Sequence, residues 1–320
     1  MQFNFQTVFL SGIDRDEKTY RITTDITAEV LAASIAKAGL INPPILVPRD
    51  SRLTIVCGFR RIAAACFLGW PEMPARILEQ NASHMDCVQL AIADNVFGRN
   101  LNPIEISRAL SLLSECIADK SELSQTAGDL GLPDRLPLIT DLMVLCKLPR
   151  EVQDGIITGV ISLPVAKQLS CLDTRAAIWF ALFFKSSKIS LNKQREVITL
   201  SQEIALREDC SICDIFTDPP LRDLLNNPDF DRSRKASALR SYLKYRRFPT
   251  LTRARDNFDR MLKSLKLENT AKLIPPADFE GTNYSLTLTF KDLTELEHHK
   301  DTIDRIARLP GMKRLMDAAE

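Results

Sequence analysis

Residues 53–65 constrain the fold of this 320-residue chain more than any other segment. Residues 53–56, Leu-Thr-Ile-Val, have the β-branched, apolar composition of a strand, and Gly58 ends that strand. Arg60 and Arg61 then open an alanine-rich helical stretch. The start of a helix presents unpaired N–H groups and a positive dipole end, so this junction suits an anion such as phosphate. An ordinary surface helix cap is the alternative interpretation.

Short apolar runs in the first hundred residues predict strands at residues 8–10, 45–47, 53–56 and 75–78. Helices are predicted at residues 28–37, from just after Gly58 to residue 68, and at 85–94. In the first of these helices, Val30, Leu31, Ser34 and Ile35 share one face. We therefore predict an α+β protein that opens with a small mixed α/β domain over residues 1–100.

The chain becomes helical from Asn102-Pro103, where a proline stands at the first helical position. Helices over residues 123–130 and 138–145, joined through Gly131, predict a helix-turn-helix-like domain over residues 101–173. A third, mostly helical region is predicted at residues 174–320. It breaks at residues 218–220, contains an alternating strand at 284–290, and closes with a helix over 293–308.

Composition excludes some classes of protein. No run of about 18 apolar residues exists, so we expect no membrane-spanning helix and no membrane partner. The start of the sequence lacks a signal-peptide pattern, and the eight scattered cysteines fit reduced thiols. We therefore expect a cytoplasmic protein. The net charge of +1 hides an uneven distribution: residues 105–172 carry a net −3, and residues 232–266 a net +10.

Several segments around the strand–glycine–helix junction occur in a characteristic order. They are residues 41–47, Gly58-Phe59-Arg60-Arg61-Ile62-Ala63-Ala64, residues 70–75, and Asp94-Asn95-Val96-Phe97-Gly98-Arg99 with residues 100–105 after it. This order resembles the ParB/sulfiredoxin superfamily, and within it the ParB-like partition proteins. Their pattern is a Gly-Glu-Arg-Arg box, flanked by a Gln-Pro segment and a Pro-Ala strand and followed by a Glu-Asn-x-x-Arg box. The resemblance spans residues 8–172 and implies a ParB-like nucleotide-binding domain followed by a helix-turn-helix.

The resemblance also implies ligands and partners. In that family these boxes bind CTP with Mg²⁺ and close a homodimer around DNA, and a partition ATPase is a further partner. Carried over to this chain, the nucleotide-binding residues are Gly58, Arg60, Arg61, Asn95 and Arg99, and the residues that face the metal are Asp94 and Asn95. Oxygen ligands of this type suit magnesium that is bound mainly through phosphates. A simple helix terminus is the alternative interpretation of Asp94 and Asn95.

Two departures from the family pattern bear on catalysis. Phe59 stands where the family has glutamate, and a phenylalanine can neither accept a proton nor bind a metal. Gly98 stands where the second box has arginine, and Arg99 follows one residue later. We therefore expect CTP, or another nucleoside triphosphate, to be hydrolysed slowly at most, and the sequence identifies no catalytic residue. The sulfiredoxin branch has its cysteine at the position of Phe59, so its chemistry is disfavoured.

DNA-binding residues follow from charge. The second helix of the helix-turn-helix candidate carries no basic residue before Lys147, and Arg135 just precedes it. The basic segment at residues 232–266 interleaves cations with aromatics, which suits nucleic acid. The predicted DNA contacts are Arg135, Arg240, Lys244, Arg246 and Arg247. The alternatives are a structural helical bundle for the first region and a solvated face, balanced by acidic neighbours, for the second.

Together these features predict a nucleotide-responsive, DNA-associated ParB-like protein that acts in plasmid or chromosome partition or in transcription control. One alternative is a nucleotide-dependent enzyme of the same superfamily, such as a kinase or a nuclease. Another is an adaptor that binds nucleotide and scaffolds a second protein without binding DNA.

Overall fold

A computed structural model describes residues 2–25, 27–49, 51–187, 189–265, 267, 270–279 and 283–308. The chain consists of two compact units, Met1–Arg195 and Glu196–Glu320. The first unit includes both the mixed α/β region and the helix-turn-helix candidate, so the three-domain division remains a prediction. No described helix is long and apolar enough to cross a membrane.

The first unit is built on a five-stranded mixed sheet with the strand order β1-β5-β3-β4-β2. The strands are β1 Phe3–Phe9, β2 Ile13–Asp14, β3 Ile45–Arg49, β4 Arg52–Cys57 and β5 Glu72–Leu78. Neighbouring pairs alternate: β1–β5 and β3–β4 are antiparallel, and β5–β3 and β4–β2 are parallel. The strands predicted at residues 45–47, 53–56 and 75–78 are confirmed. The strand predicted at 8–10 begins five residues earlier, because alternating phenylalanines extend it.

Among the described residues of the first unit, nine α-helices surround and follow this sheet. They are α1 Glu29–Ala38, α2 Phe59–Phe67, α3 His84–Val96, α4 Pro103–Cys116, α5 Lys120–Asp129, α6 Leu136–Met143, α7 Arg150–Ile157, α8 Leu163–Leu169 and α9 Thr174–Ser187. Buried side chains of α2 pack on one face of the sheet. The predicted face of α1 is wrong for Val30, which is 81% exposed. Because α1 packs on α2, its buried residues are Ala32 and Ile35, and they meet Ala64.

Helices α5 and α6 form the predicted helix–glycine turn–helix. Gly131 has a φ of +75°, and a Cβ there would come within 3.0 Å of Val96 Cγ1. The turn therefore requires glycine for two reasons: its backbone is left-handed, and it lies against the end of α3. Leu123 and Ile139 bury the facing sides of α5 and α6. The turn thus places the helix-turn-helix directly beside α3.

The second unit is mostly helical, and α10 (Leu191–Glu208) runs across the boundary between the units. The remaining elements are α11 Ile212–Thr217, α12 Pro219–Asn226, α13 Arg232–Arg247, α14 Pro249–Leu265, β6 Ala271–Ile274, β7 Ser285–Leu288 and α15 Leu293–Arg308. The predicted break at 218–220, the strand near 284–290 and the closing helix are confirmed. Strand β6, which the sequence analysis missed, pairs antiparallel with β7. Phe258, Leu273 and Ile306 form a small core between these elements.

Candidate functional site

A cleft of about 330 Å³ opens where α2 begins and α3 ends. It is lined by Gly58, Arg60, Arg61, Asp94, Asn95 and Arg99. The structure thus brings together all the residues that the sequence analysis selected for nucleotide and metal. They come from two helix ends, because β4 delivers the chain to α2 on the same side of the sheet where α3 ends.

Gly58 shapes the entrance to α2. Its φ of +94° is left-handed, and a Cβ there would lie 2.8 Å from Pro44 Cβ and 3.0 Å from Pro44 Cα. No other residue type fits without movement of the Pro44 backbone. No side chain caps α2, and its first turn contains no acidic residue. The first N–H groups of α2 are therefore available to an anion in the cleft.

Arg60 is the least satisfied cation of the site. Its Nε is buried and makes no hydrogen bond within the described residues. A buried polar atom without a partner costs free energy, and such atoms are rare in folded proteins. Hydrogen bonds from Thr27, and then the nearby charge of Arg60, lower the pKa of Asp25. An anion in the cleft would supply the partner that Arg60 Nε lacks.

Arg61 links two segments of the site through its hydrogen bonds. Its guanidinium donates to the carbonyls of Asn42 (2.9 Å) and Pro43 (3.1 Å) and to Asp94 Oδ2 (2.7 Å). These bonds hold the segment before β3 against the end of α3. They also engage one carboxylate oxygen of Asp94, which the sequence analysis assigned to a metal. A nucleotide that binds Arg61 or a metal at Asp94 would have to share or displace this ion pair.

Arg99 is committed to a carboxylate that the sequence analysis left without a role. Its guanidinium bonds to both oxygens of Glu105, at 2.7 Å and 2.9 Å, and to Asn95 Oδ1 at 3.1 Å. Glu105 is 2% exposed. It also accepts hydrogen bonds from the backbone N–H groups of Thr24 and Asn102, at 2.9 Å and 3.1 Å. Burial alone would raise the pKa of Glu105, but the bonds from Arg99, Thr24 and Asn102 outweigh it, and the pKa is lowered.

Two sequence signals explain this arrangement. Asn102 and Glu105 have the spacing of a capping box, and both reciprocal bonds form at the start of α4. Gly98 occupies the position of the family's arginine, and a Cβ there would lie 2.9 Å from the carbonyl of Asp94. Residue 98 has no room for a side chain in this geometry. Arg99, one residue later, is the arginine that contacts Glu105.

The site fits an anion better than a metal held by protein alone. No group of three or more histidines, cysteines or carboxylates suited to a metal occurs among the described residues. Asp94 and Asn95 offer one carboxylate and one amide oxygen, so a magnesium ion here would take most of its ligands from phosphates and water. Phe59, at the start of α2, packs against the core cluster of the sheet. The first turn of α2 contains no carboxylate.

The first predicted DNA-binding region lies in the first unit. Arg135 is exposed and precedes α6. On α6 itself, Asp141 bonds to Lys167 at 2.6 Å. The exposed residues of α6 are uncharged and include Leu136 and Leu138, each 37% exposed. Arg135, just before α6, is therefore the cation best placed near this helix for a phosphate contact.

The second predicted DNA-binding region, residues 232–266, contains α13 and α14. The four cations predicted to contact DNA lie on α13, and all four are paired. Arg240 and Lys244 share Glu196, each at 2.7 Å. Arg247 bonds to Glu203 at 2.7 Å. Arg246 bonds to Glu208 at 2.6 Å and to Asp218 at 3.0 Å. This agrees with the alternative interpretation of a face balanced by acidic neighbours. Three of those carboxylates lie on α10, and Asp218 precedes α12, so all four lie outside the basic segment at residues 232–266.

Comparisons with known proteins find similarity over part of the chain. Residues 6–96 match the family model described as the ParB N-terminal domain. A probable chromosome-partitioning protein ParB of Treponema pallidum is 29% identical over 173 residues, 53% of this chain and 51% of that protein. A nucleoid occlusion protein of Geobacillus sp. is 32% identical over 145 residues, 45% of this chain and 50% of that protein.

A solved structure is also similar to part of the chain. ParB of Caulobacter crescentus, complexed with CTP-γ-S, is 22% identical in sequence to this chain. The match covers 57% of this chain and 98% of the solved chain, with a TM-score of 0.26. The match to curated relatives extends over about half of their length.

Proposed function

We propose that this chain, whose residues 6–96 match the family model of the ParB N-terminal domain, is a nucleotide-responsive, DNA-associated protein that acts in chromosome or plasmid partition or in transcription control. The names of its relatives, a partitioning protein and a nucleoid occlusion protein, support the proposed role in chromosome partition. DNA, a second copy of the chain and a partition ATPase are the partners that the proposal implies.

The proposed ligand is a nucleoside triphosphate, CTP by resemblance, bound with magnesium. The observation that carries this proposal is Arg60, whose buried Nε lacks a partner beside the uncapped start of α2 at Gly58. Phosphate oxygens would accept hydrogen bonds from Arg60 and from the first N–H groups of α2. Asp94 and Asn95 would contact the magnesium ion, and the phosphates would supply most of its remaining ligands.

Calorimetry with each of the four triphosphates, with and without Mg²⁺, tests this proposal. A hydrogen bond to a charged group contributes roughly 1.5–3 kcal/mol. Arg60→Ala should therefore weaken binding about tenfold or more. Arg76→Ala is a matched control, because Arg76 also has a buried Nε without a partner but lies outside the cleft. If the parent binds none of the four triphosphates, or if both variants weaken binding equally, the proposed site is wrong.

We further propose that turnover is slow or absent. Phe59 leaves the start of α2 without the carboxylate that the family has there, and Asp94 is held by Arg61. Phosphate release should stay near background under conditions where calorimetry shows the nucleotide bound. Steady release by the parent that disappears in Asp94→Ala would show that this chain is an active hydrolase and that Phe59 is not limiting.

A further inference from the structure

Strand β1 lies at an edge of the five-stranded sheet. It pairs with β5 over all seven residues from Phe3 to Phe9, in one unbroken antiparallel register. No other described strand pairs with it. One full row of backbone N–H and C=O groups therefore faces outward from the sheet, and such a row is a ready template for another strand.

The composition of β1 leaves this edge unprotected. Proteins usually protect an exposed edge with a lysine, a proline or a β-bulge. The sequence of β1, Phe-Asn-Phe-Gln-Thr-Val-Phe, contains no charged residue and no proline, and its register with β5 shows no bulge. β1 therefore carries none of these protections.

The aromatic residues of β1 share one face of the strand. Phe3, Phe5 and Phe9 all occupy odd-numbered positions, and side chains alternate between the two faces of a strand. Phe5 is 70% exposed and Phe9 is 65% exposed. The guanidinium of Arg76, on the neighbouring strand, lies 5.4 Å from the centre of the Phe5 ring. The edge thus combines free backbone groups with an exposed aromatic stripe.

We propose that β1 pairs antiparallel with β1 of a second copy of this chain, about a twofold axis at Gln6. This is the register in which all seven residues of both strands find a partner. It sets Phe3 opposite Phe9 of the second copy, and Phe5 diagonally between Phe5 and Phe9 of the second copy, within reach of aromatic side chains. Two-fold contacts bring like residues together, and an uncharged strand makes that approach without repulsion.

The contact goes beyond the proposed nucleotide site and does not depend on it. Seven paired residues form an interface below the standard size of about 1,600 Å². We therefore expect association that depends on protein concentration in the purified 320-residue chain.

Disulfide trapping tests the register directly. In Gln6→Cys, the two introduced thiols face each other across the axis, where Cα atoms of opposed residues lie about 4.5–5.5 Å apart. This separation permits a disulfide. In the matched control Asn4→Cys, each cysteine lies opposite Val8 of the second copy, which places the two introduced Cα atoms about 13 Å apart. Both positions are exposed. Gln6→Cys should cross-link at least tenfold faster than Asn4→Cys, after subtraction of the parent's own eight cysteines.

A charge placed on the aromatic stripe provides the second test. Phe5→Lys should abolish the cross-linking of Gln6→Cys and the concentration-dependent shift in sedimentation velocity. Phe67→Lys is its control, because Phe67 is 62% exposed but lies at the end of α2. Equal cross-linking of Gln6→Cys and Asn4→Cys would overturn the proposal, and so would cross-linking that survives Phe5→Lys. Nucleotide calorimetry on the same variants keeps this outcome separate from that of the proposed function.

Discussion

The cleft of the first unit and helix α13 of the second each contain several arginines, but these cations differ in what they contact. In the cleft, Arg60 Nε is buried without a partner. On α13, each of the four selected cations is held by at least one carboxylate. The difference teaches that a count of charges along the sequence does not measure the charge available to a phosphate.

The ion pairs of the two regions also differ in burial. Glu105, which holds Arg99, is 2% exposed, and the side chain of Glu203, which holds Arg247, is 41% exposed. The two arginines are equally exposed, 32% for Arg99 and 31% for Arg247, so the difference lies in the carboxylates. Water can replace the bonds that Glu203 accepts but not those that the buried Glu105 accepts. The same kind of contact therefore stabilises the two regions to different extents.

The largest expected effect is on the stability of the first unit. Glu105→Gln removes the charge that neutralises Arg99 while the capping geometry of α4 is retained. We expect the free energy of unfolding to fall by about 3 kcal/mol, the upper end of the range for a hydrogen bond to a charged group, because several such bonds to Glu105 weaken at once. Glu203→Gln, the matched change at an exposed pair, should cost less than about 1 kcal/mol.

Tryptophan fluorescence in urea separates these two outcomes. Both tryptophans, Trp70 and Trp179, lie in the first unit, so their emission follows that unit, and far-UV circular dichroism follows the whole chain. Equal losses in Glu105→Gln and Glu203→Gln would contradict the difference in burial on which the comparison depends.

The next effect concerns the backbone at the cleft. Gly58→Ala forces a side chain into left-handed backbone and against Pro44, whereas Gly69→Ala meets the same backbone strain (φ +71°) with nothing within 4 Å. Left-handed strain costs about 1–3 kcal/mol, and a clash adds to it. Gly58→Ala should therefore lower the free energy of unfolding by about 2 kcal/mol more than Gly69→Ala does. Thermal unfolding followed by fluorescence measures this difference, and similar melting temperatures would count against the close approach of Pro44.

A smaller effect appears as acid dependence. The pKa of Glu105 is lowered in the folded chain from its ordinary value of 4.5. A lowered pKa means that the carboxylate stabilises the fold above about pH 4.5 and that this contribution is lost as the pH falls through the folded pKa. Glutamine does not titrate. The stability gap between the parent and Glu105→Gln should be full at pH 7 and should narrow below about pH 4.5. A gap that stays constant from pH 7 to pH 3 would show that the charge of Glu105 does not matter.

The smallest effect concerns DNA. Four free cations would give a slope of log affinity against log salt of about −3.6. Because Arg240, Lys244, Arg246 and Arg247 must leave carboxylates to reach phosphates, we expect their joint replacement by alanine to change the slope by only about one unit. Arg135→Ala should change it by about 0.9 units, since Arg135 is exposed and has no carboxylate partner among the described residues. Titration of a DNA duplex at several salt concentrations measures both slopes. A change near 3.6 for the quadruple variant would show that the pairs open on DNA.

The spacing of apolar residues, and the residues that start or stop an element, predicted much of the fold because both signals act locally. The strands at β3, β4 and β5, the glycine turn at Gly131 and the helix α15 all follow from apolar spacing and from residues that stop or start an element. The burial of α1 was predicted incorrectly, since which face of an amphipathic helix is buried depends on the helix it meets. Strand β6 was missed because four residues of alternating pattern become a strand only when β7 pairs with them.

The sequence by itself determined that Gly58, Arg60 and Arg61 stand at a strand-to-helix junction, because glycine and helix-start preferences are properties of neighbouring residues. Only the tertiary structure decided which charges are free. Glu105 reaches Arg99 because α4 folds back on α3, and Glu196, Glu203 and Glu208 reach α13 because α10 lies beside it. These partners are between 6 and 44 residues apart along the chain. Electrostatic attraction depends on distance in space, so a short window of sequence could not assign the arginine pairs of α13, whose partners are 38 to 44 residues apart.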